Sequence, residues 1–328
     1  MDKITDPRPQ SVVEDMRKLQ QKLDDIEVIP PKALDKNLLI ATWNIREFGG
    51  LTHKWQSDPR NDQPKRDLHA ILCIAEIISR FDVVAIQEAK DDHTALRAVL
   101  QVLGRDWGLM LTDETKGPAG KRERIAFLFD TRQVVLSGLA CELVLAEEQL
   151  EQMAPGGEGK QFARTPYAVG FRSRSSGKTF TLIALHVLYG DRVSDRVPEL
   201  EAIARWLAEW AADRNAWDHN LITLGDFNIA STNSKTYEAF TSTGLQIPKE
   251  LHNVSRTLKQ DPDETLKYYD QIAWFDGENG VPALDLTYLN AGHFDFSDCV
   301  MVSRELSDDD LSWYLSDHFP LWVEFSVR

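Results

Sequence analysis

The amino-acid sequence predicts one α/β domain built from strand-rich layers and preceded by a short N-terminal arm. Apolar runs with strand character alternate with runs of helical periodicity from residue 37 onward. No linker, low-complexity tract or repeat interrupts this alternation, and a chain of 328 residues is long enough for one large α/β domain. We therefore expect residues 1–36 to form the arm and residues 37–328 to form the domain.

The arm is predicted to contain an amphipathic helix over residues 11–26. Ser11 and Glu14 have the spacing of a capping box, and Pro30 and Pro31 end the segment. Apolar residues recur at helical spacing, namely at Val12, Met16, Leu19, Leu23 and Ile26. We expect this helix to pack on the flank of the domain.

Within the domain, residues 67–81 and 197–214 have the apolar pattern of helices. Residues 162–186 read as a β-hairpin with Ser175, Ser176 and Gly177 at its turn. The composition of residues 154–160, "APGGEGK", is typical of a mobile loop.

Composition limits the class of protein and its surroundings. The hydrophobic content of 42% and charged content of 27% are ordinary for a soluble protein. No apolar run approaches the roughly 18 residues that a membrane span needs, so we expect no membrane insertion. The polar N-terminus lacks an apolar signal core, and the three cysteines suit reduced thiols better than a disulfide framework. We therefore expect a cytoplasmic protein.

The formal net charge of −15 has a consequence for substrates. Such a protein is repelled at long range by nucleic acid and by anionic membranes. If it acts on a phosphate polymer, local cations or a bound metal ion must hold that substrate.

Polar side chains stand at or near the ends of six apolar strand-like runs. In one-letter code the runs are "LLIATWN", "DVVAIQE", "TFTLIALH", "NLITLGDFN", "YYDQIAWF" and "LSDHFPLWVEF". They carry Asn44, Glu88, His186, Asp226 with Asn228, Asp270, and Asp317 with His318. Each residue alone is more readily explained as a turn former, a cap or a core histidine. The same classes of residue at six strand margins instead indicate a site, because sheets fix the backbone where loops leave room for substrate.

The residue types predict the chemistry of that site. Hard oxygen ligands such as those of Asn44, Glu88, Asp226 and Asp317 suit Mg²⁺, with Mn²⁺ as a substitute. The sequence has no cysteine–histidine cluster of the kind that binds zinc. A hard cation beside acid–base histidines is suited to hydrolysis of phosphate esters.

The chain resembles the endonuclease/exonuclease/phosphatase superfamily, and most closely its pancreatic-type deoxyribonuclease branch. The resemblance runs from about residue 38 to residue 326. It rests on motifs that follow one another in the family's order, "WNIREFGG", "DVVAIQEAKDDH", "KRERIAFLFD", "FARTPYAVGF", "LIALHV", "LGDFNI", "YYDQIAWF" and "LSDHFPLWVEF". It implies a four-layered α/β sandwich, with two mixed β-sheets face to face and helices on the outside.

The resemblance also implies roles for individual residues. Glu88 would bind the divalent cation, with Asn44 in support and Asp317 as a further ligand. Glu123 would pair with His186 and Asp270 with His318, so that each carboxylate orients one acid–base imidazole. Asp226 and Asn228 would position water and phosphate. Arg46, Lys90, Lys121 and Arg164 would contact the substrate's phosphates.

Several features depart from the deoxyribonuclease pattern. Lys90 stands where that branch has an arginine, and Lys121 stands where it has a tyrosine. Residues 53–67 and 147–161 resemble insertions near the active face. These departures leave the choice of substrate open.

The leading hypothesis is a Mg²⁺-dependent phosphodiesterase that hydrolyses nucleic acid, with DNA as the expected substrate. An inositol phosphate phosphatase or a lipid phosphodiesterase of the same superfamily is the alternative. A non-catalytic binding scaffold is less favoured, because every expected catalytic residue type is present. The sequence does not predict the oligomeric state.

Overall fold

Two mixed β-sheets of six strands each lie face to face in the computed structural model of the protein. The structure describes residues 1–115, 121–144, 162, 164–190, 192–213, 215–259 and 266–328. The predicted mobile loop 154–160 and the whole of the suggested insertion 147–161 lie outside the described residues.

The strands follow one another along the chain as β1 (Asn37–Phe48), β2 (Val83–Ala89), β3 (Trp107–Leu111), β4 (Arg124–Asp130), β5 (Val134–Glu142), β6 (Tyr167–Ser173), β7 (Thr179–His186), β8 (Leu221–Ile229), β9 (Leu245–Gln246), β10 (Tyr268–Phe275), β11 (Thr287–His293) and β12 (Leu321–Ser326). The first sheet has the order β11-β12-β1-β2-β4-β3, and the second has the order β5-β6-β7-β8-β10-β9. Each sheet contains one parallel pair at its centre, β1 with β2 and β7 with β8, and its other pairs are antiparallel.

Helices cover the outer faces of the two sheets and complete four layers. The helices are α1 (Gln10–Leu23), α2 (Leu68–Ile78), α3 (Thr94–Leu103), α4 (Val197–Ala212), α5 (Lys235–Thr241) and α6 (Asp308–Tyr314). The first three share a core with the outer face of the first sheet. α4 contacts β8 and α5, on the outer side of the second sheet. The predicted four-layered sandwich is therefore confirmed.

The alternation of side chains along β1 explains how one strand serves two cores. Leu38 and Ile40 are fully buried in the core between the sheets, whereas Leu39 and Ala41 are buried in the core beneath the helices. Successive side chains of a strand point to opposite faces, so a strand covered on both faces has to be apolar throughout. This is why the run "LLIA" shows no polar alternation. Complete burial of a leucine or isoleucine side chain contributes about 1.5–3 kcal/mol.

The N-terminal helix forms, but it is shorter than the sequence predicts. α1 ends at Leu23, so Ile26 is 65% exposed, whereas Val12, Met16, Leu19 and Leu23 are buried against the first sheet's helices. The predicted capping box is wrong, because the helix begins at Gln10 after Pro9 and no side chain caps it. The domain boundary at residue 36/37 stays a prediction.

The other predicted elements form close to their expected bounds. Residues 68–78 and 197–212 are helical, and β6 and β7 make the predicted hairpin. Cys73, Cys141 and Cys299 are free thiols. Among the described residues, no helix combines the length and the apolar character that crossing a membrane requires.

Candidate functional site

The candidate site lies where the central strands of both sheets end. β1 and β2 contact β8 across the space between the sheets, and β2 also contacts β7. Strand pairing sets His186 of β7 opposite Asp226 of β8, and Asp270 of β10 opposite the same Asp226. Polar residues that are far apart in sequence therefore meet at one margin of the sandwich.

Glu88 and Asn44 form the part of the site that belongs to the first sheet. The Nδ2 atom of Asn44 lies 3.4 Å from Oε1 of Glu88, and the backbone N–H of Glu47 donates to Oε2 of Glu88 at 2.9 Å. Glu88 has a φ of +61°, a conformation that costs a residue other than glycine free energy. The backbone is strained at the residue whose carboxylate faces the site.

Asp226 connects the two sheets. Its Oδ2 atom accepts a hydrogen bond from Asn44 Nδ2 at 3.1 Å and lies 3.6 Å from Nε2 of His186. Its Oδ1 atom accepts from the backbone N–H of Asn228 at 2.9 Å. The side chain of Asn228, which has a φ of +51°, donates to the carbonyl of Val187 at 2.7 Å. Asn228 thus ties β8 to the segment that follows His186.

Gly225 explains how β7 and β8 approach closely enough for these contacts. It pairs with Leu185 and has a φ of +138°. A Cβ atom at this position would lie 2.1 Å from the carbonyl oxygen of Leu185. Glycine is required in "LGDFN" because any side chain would push apart the two strands that carry His186 and Asp226.

Glu123 is the centre of a buried ion-pair network. Its Oε2 atom lies 2.9 Å from Nδ1 of His186 and 2.6 Å from Nε of Arg164, and its Oε1 atom lies 3.2 Å from Nζ of Lys90. Burial alone would raise the pKa of Glu123. The hydrogen bond and charge of His186 and the charges of Arg164 and Lys90 lower that pKa to about 2. Glu123 therefore stays ionised and orients the imidazole of His186.

His318 and Asp270 form the second carboxylate–histidine pair. Nδ1 of His318 lies 2.7 Å from Oδ2 of Asp270, and both side chains are buried. Burial alone would lower the pKa of His318, but the charge and hydrogen bond of Asp270 raise it well above its ordinary value. The ring of Tyr269 lies against His318, with 6.1 Å between the ring centroids. This pair favours a protonated imidazole at neutral pH.

Ser316 joins the segment of His318 to β1 at Asn44. Its hydroxyl donates to the carbonyl of Asn44 at 2.6 Å and accepts from the backbone N–H of His318 at 3.0 Å. Asp317 lines a cavity of about 190 Å³ beside His318. Ser316 was not predicted from the sequence, although its place directly before the Asp317–His318 pair was a usable signal.

The predicted cations occupy different positions around this centre. Arg164 and Lys90 are held by Glu123, and Lys90 also lies 3.2 Å from a carboxylate oxygen of Glu47. Arg46 contacts Ser312 and the ring of Trp313. Lys121 is exposed on the turn before Glu123, with a φ of +50°. Arg164 and Lys90 are thus engaged within the site, whereas Lys121 lies on its rim.

Three buried arginines that the sequence did not predict as site residues hold the backbone of this centre. Arg66 donates to the carbonyls of Arg46, Glu47, Tyr314 and Leu315. Arg196 donates to the carbonyls of Asn228 and Tyr189, and Arg256 donates to those of Leu251, Val254 and Asp270. Burial lowers the pKa of both Arg66 and Arg256 to about 10. No sequence pattern separates such arginines from exposed ones.

The residues present fit a divalent cation. The buried Oδ1 atom of Asn44 has no hydrogen-bond partner in the described part of the chain, and Glu88 is only half-buried. Ligand atoms of Glu88, Glu123 and His186 lie within 4.8 Å of one another. Glu123 is already engaged by Arg164 and His186, so Glu88 is the more available carboxylate. Hard oxygen donors of this kind suit Mg²⁺ or Mn²⁺.

Comparisons with known proteins agree with the fold. The profile of the Endonuclease/Exonuclease/phosphatase family matches residues 41–318. A deoxyribonuclease of Thioalkalivibrio sp. is 32% identical over 62% of this chain, and the match spans about half (49%) of that relative's length. Deoxyribonuclease-1 of Bos taurus is 26% identical over 88% of this chain and 93% of its own.

A solved structure shares the fold at lower identity. The mannosyl-6-phosphatase of Bacteroides thetaiotaomicron superposes with a TM-score of 0.57 at 19% identity, and the match covers 88% of this chain and 99% of its own. The same layered fold therefore occurs in a phosphatase, so the fold by itself does not decide the substrate.

Proposed function

The chain belongs to the Endonuclease/Exonuclease/phosphatase family. We propose that it is a phosphodiesterase that depends on a divalent metal ion and hydrolyses nucleic acid, as a deoxyribonuclease-like endonuclease. The observation that carries the proposal is the meeting of two carboxylate–histidine pairs with Glu88, Asn44 and Asp226 at one margin of the sandwich. A purely structural cluster has no need of two oriented imidazoles beside an oxygen-rich group.

Glu88 and Asn44 would hold the cation, with Asp317 as a further ligand on the side of His318. When bound, a divalent cation neutralises charge that develops on a phosphate oxygen during hydrolysis. The strained backbone of Glu88 and the donor from Glu47 support this assignment, because both fix the carboxylate before any ligand arrives.

The two histidines would divide the proton transfers. His318, whose pKa the charge of Asp270 raises, is suited to donate a proton to the leaving oxygen. Nδ1 of His186 is bound to Glu123. The other ring nitrogen, Nε2, lies next to Asp226 and would accept a proton from the attacking water. The bond from phosphorus to the leaving oxygen breaks as the bond from water oxygen to phosphorus forms. Asp226 and Asn228 would position the reacting groups.

Nucleic acid is the proposed substrate because relatives named deoxyribonuclease match along most of the chain and because cations surround the site. Arg46, Lys90, Lys121 and Arg164 would contact phosphates, although the net charge of the chain is −15. The pairing of Arg164 and Lys90 with Glu123 leaves Arg46 and Lys121 as the cations best suited to the flanking phosphates.

The test is a substrate panel with purified protein. Plasmid DNA, single-stranded RNA, an inositol phosphate, a phosphoinositide and sphingomyelin are each incubated with Mg²⁺, with Mn²⁺ or with chelator. We expect cleavage of DNA that requires the metal. Efficient hydrolysis of the inositol or lipid substrates without cleavage of DNA or RNA would move the protein to the phosphatase or lipid branch, and activity on none of them would favour a binding scaffold.

A further inference from the structure

A cavity of about 430 Å³ lies next to the candidate site, and Trp313 and residues 63–65 in its lining have no role in the proposed catalysis. Its lining includes Arg46, Gln63, Pro64, Lys65, Lys90 and Trp313, and also the carboxylate residues Glu47 and Asp92. Glu47 and Lys90 also contact Glu88 and Glu123. A group bound here would therefore adjoin a phosphate held at Glu88. The volume lies in the range, about 300–1,000 Å³, of cavities that bind small molecules.

One wall of the cavity comes from residues 53–67, the segment that the sequence marked as an insertion near the active face. The wall is firmly attached: the N–H of Thr52 donates to the carbonyl of Arg66 at 2.9 Å, and the N–H of Ser57 donates to Asp67 at 2.9 Å. The guanidinium of Arg66 then binds carbonyls of β1 and of the end of α6. The cavity is thus preformed, and a ligand would not have to order it.

Trp313 and Arg46 give the cavity a flat face for stacking. Trp313 is 41% exposed, unusually high for so large an aromatic side chain, and the guanidinium of Arg46 lies 3.7 Å from the centroid of its ring. Nη1 of Arg46 also donates to Ser312 at 2.6 Å, which keeps the guanidinium over the ring. Aromatic rings and arginine planes are the surfaces on which unpaired nucleobases stack.

Arg46 is a cation that can hold a phosphate beside that stack, whereas the carboxylates Glu47 and Asp92 in the lining are engaged by Lys90 and Thr94. Lys65 is paired with Asp310, and Lys90 is paired with Glu47 and Glu123. In the part of the chain that the structure describes, no carboxylate forms an ion pair with Arg46. Its charge is therefore available to an anionic ligand, and the ring beneath it can extend the stack.

We propose that this cavity binds one unpaired nucleotide of the substrate strand, with its base stacked on the Trp313–Arg46 layer and its phosphate on Arg46. The proposal rests on the proposed function and narrows it: the protein prefers single-stranded or frayed nucleic acid. A base within a duplex is covered on both faces by its neighbours and would have to leave the stack to reach Trp313, at a cost of a few kcal/mol.

The test measures binding rather than turnover. Fluorescence anisotropy in chelator gives the Kd for a labelled single-stranded DNA oligonucleotide and for a blunt-ended duplex of the same length. The proteins are wild type, Trp313→Ala, Trp313→Phe and the control Trp217→Ala, which removes a tryptophan that is 66% exposed beside Leu136 of β5. Stacking of one base is worth about 1–3 kcal/mol.

We expect Trp313→Ala to weaken single-strand binding about tenfold or more, Trp313→Phe to restore most of it, and Trp217→Ala to have no effect. Equal weakening for duplex and single strand, or no weakening, overturns the subsite. Wild-type hydrolysis of bis(p-nitrophenyl) phosphate, a diester without a base, is measured in parallel with Mg²⁺ and Mn²⁺. If wild type does not hydrolyse this diester but its binding of single-stranded DNA still depends on Trp313, the proposed catalysis is contradicted and the subsite is supported.

Discussion

Asn44 of the first sheet donates a hydrogen bond from Nδ2 to Oδ2 of Asp226 in the second sheet, over a distance of 3.1 Å. The same amide nitrogen lies 3.4 Å from Glu88, and the same carboxylate oxygen lies 3.6 Å from Nε2 of His186. This one amide therefore connects the proposed metal side of the site with one of its histidines. The relative position of the two sheets is set at the place where the chemistry would occur.

Replacement of Asn44 tests this connection. Asn44→Ala removes both hydrogen bonds and leaves Glu88 and Asp226 without their shared donor. We expect activity on DNA to fall about 10- to 100-fold, the usual effect of losing a residue that orients a metal ligand, together with a higher Mg²⁺ concentration for half-maximal rate. A change in rate with an unchanged Mg²⁺ requirement would contradict the role of Asn44 beside Glu88.

The two carboxylate–histidine pairs predict that replacement of either histidine alone lowers kcat. His186→Ala and His318→Ala should each lower kcat about 10²- to 10⁴-fold, the usual contribution of general acid–base catalysis. Asp270→Asn should lower kcat as well, because His318 loses the charge that raises its pKa. His219→Ala is the matched control, since this histidine precedes β8 at the opposite end of the strand and binds the carbonyl of Ala211. Losses below about tenfold for both site variants would contradict the assignment.

The positions of the cations predict different effects for Lys121 and Arg164. Lys121 is exposed on the rim. Lys121→Ala should therefore reduce the slope of log affinity for DNA against log salt concentration by about one and leave kcat nearly unchanged. Arg164 is 6% exposed and lies on Glu123, so Arg164→Ala should lower kcat instead. Lys18→Ala on the exposed side of α1 is the control. If Lys121→Ala has the same salt dependence as this control, Lys121 does not contact phosphate.

His69 predicts a dependence of stability on pH. It is fully buried, its Nε2 atom lies 4.0 Å from Asp15 of α1, and burial lowers its pKa to about 4 despite the charge of Asp15, with the charge of Arg304 acting in the same direction. Between pH 6.5 and pH 4 the unfolded chain binds a proton at His69 that the folded protein does not. The free energy of unfolding should therefore fall as pH drops through this window, by up to roughly 3 kcal/mol, and the stabilisation is fully present above pH 6.5.

Urea unfolding of wild type and His69→Gln at pH 7.5 and pH 5 checks this expectation. Wild type should lose more stability than the variant on going to pH 5. Asp82, whose pKa burial raises to about 6, titrates in both proteins and cancels in the comparison. Equal losses in the two proteins would show that His69 is not responsible.

The fold was predictable because each strand is marked by its own local pattern of apolar and polar residues, and the packing of the layers follows that pattern. The runs that end in Asn44 and His186 are apolar on both faces, as strands between two layers have to be, and their polar ends marked the site. Glu123 was reached only through the family resemblance, since a glutamate just before a strand has no signal of its own. Ile26 was wrongly predicted on the buried side of the helix because periodicity does not reveal that α1 ends at Leu23.

The sequence did not predict features that depend on contacts between residues far apart along the chain. Arg66, Arg196 and Arg256 look like ordinary surface residues until the chain folds around them and their guanidinium groups meet backbone carbonyls. Trp313 likewise could not be identified as a binding residue until the structure placed Arg46 on its ring and both residues in the lining of a cavity with Gln63.

Glu88 is proposed to hold a divalent cation that hydrolysis of DNA requires. The initial rate of plasmid nicking is measured as a function of Mg²⁺ concentration, for metal-stripped wild type and for Glu88→Gln, with an unchanged melting temperature as evidence of folding. We predict no nicking in chelator, restoration by Mg²⁺ in wild type, and a loss of several orders of magnitude in Glu88→Gln, since charge stabilisation by a metal is worth several kcal/mol. Nicking by Glu88→Gln at the wild-type rate, or full wild-type activity in excess chelator, would contradict the account.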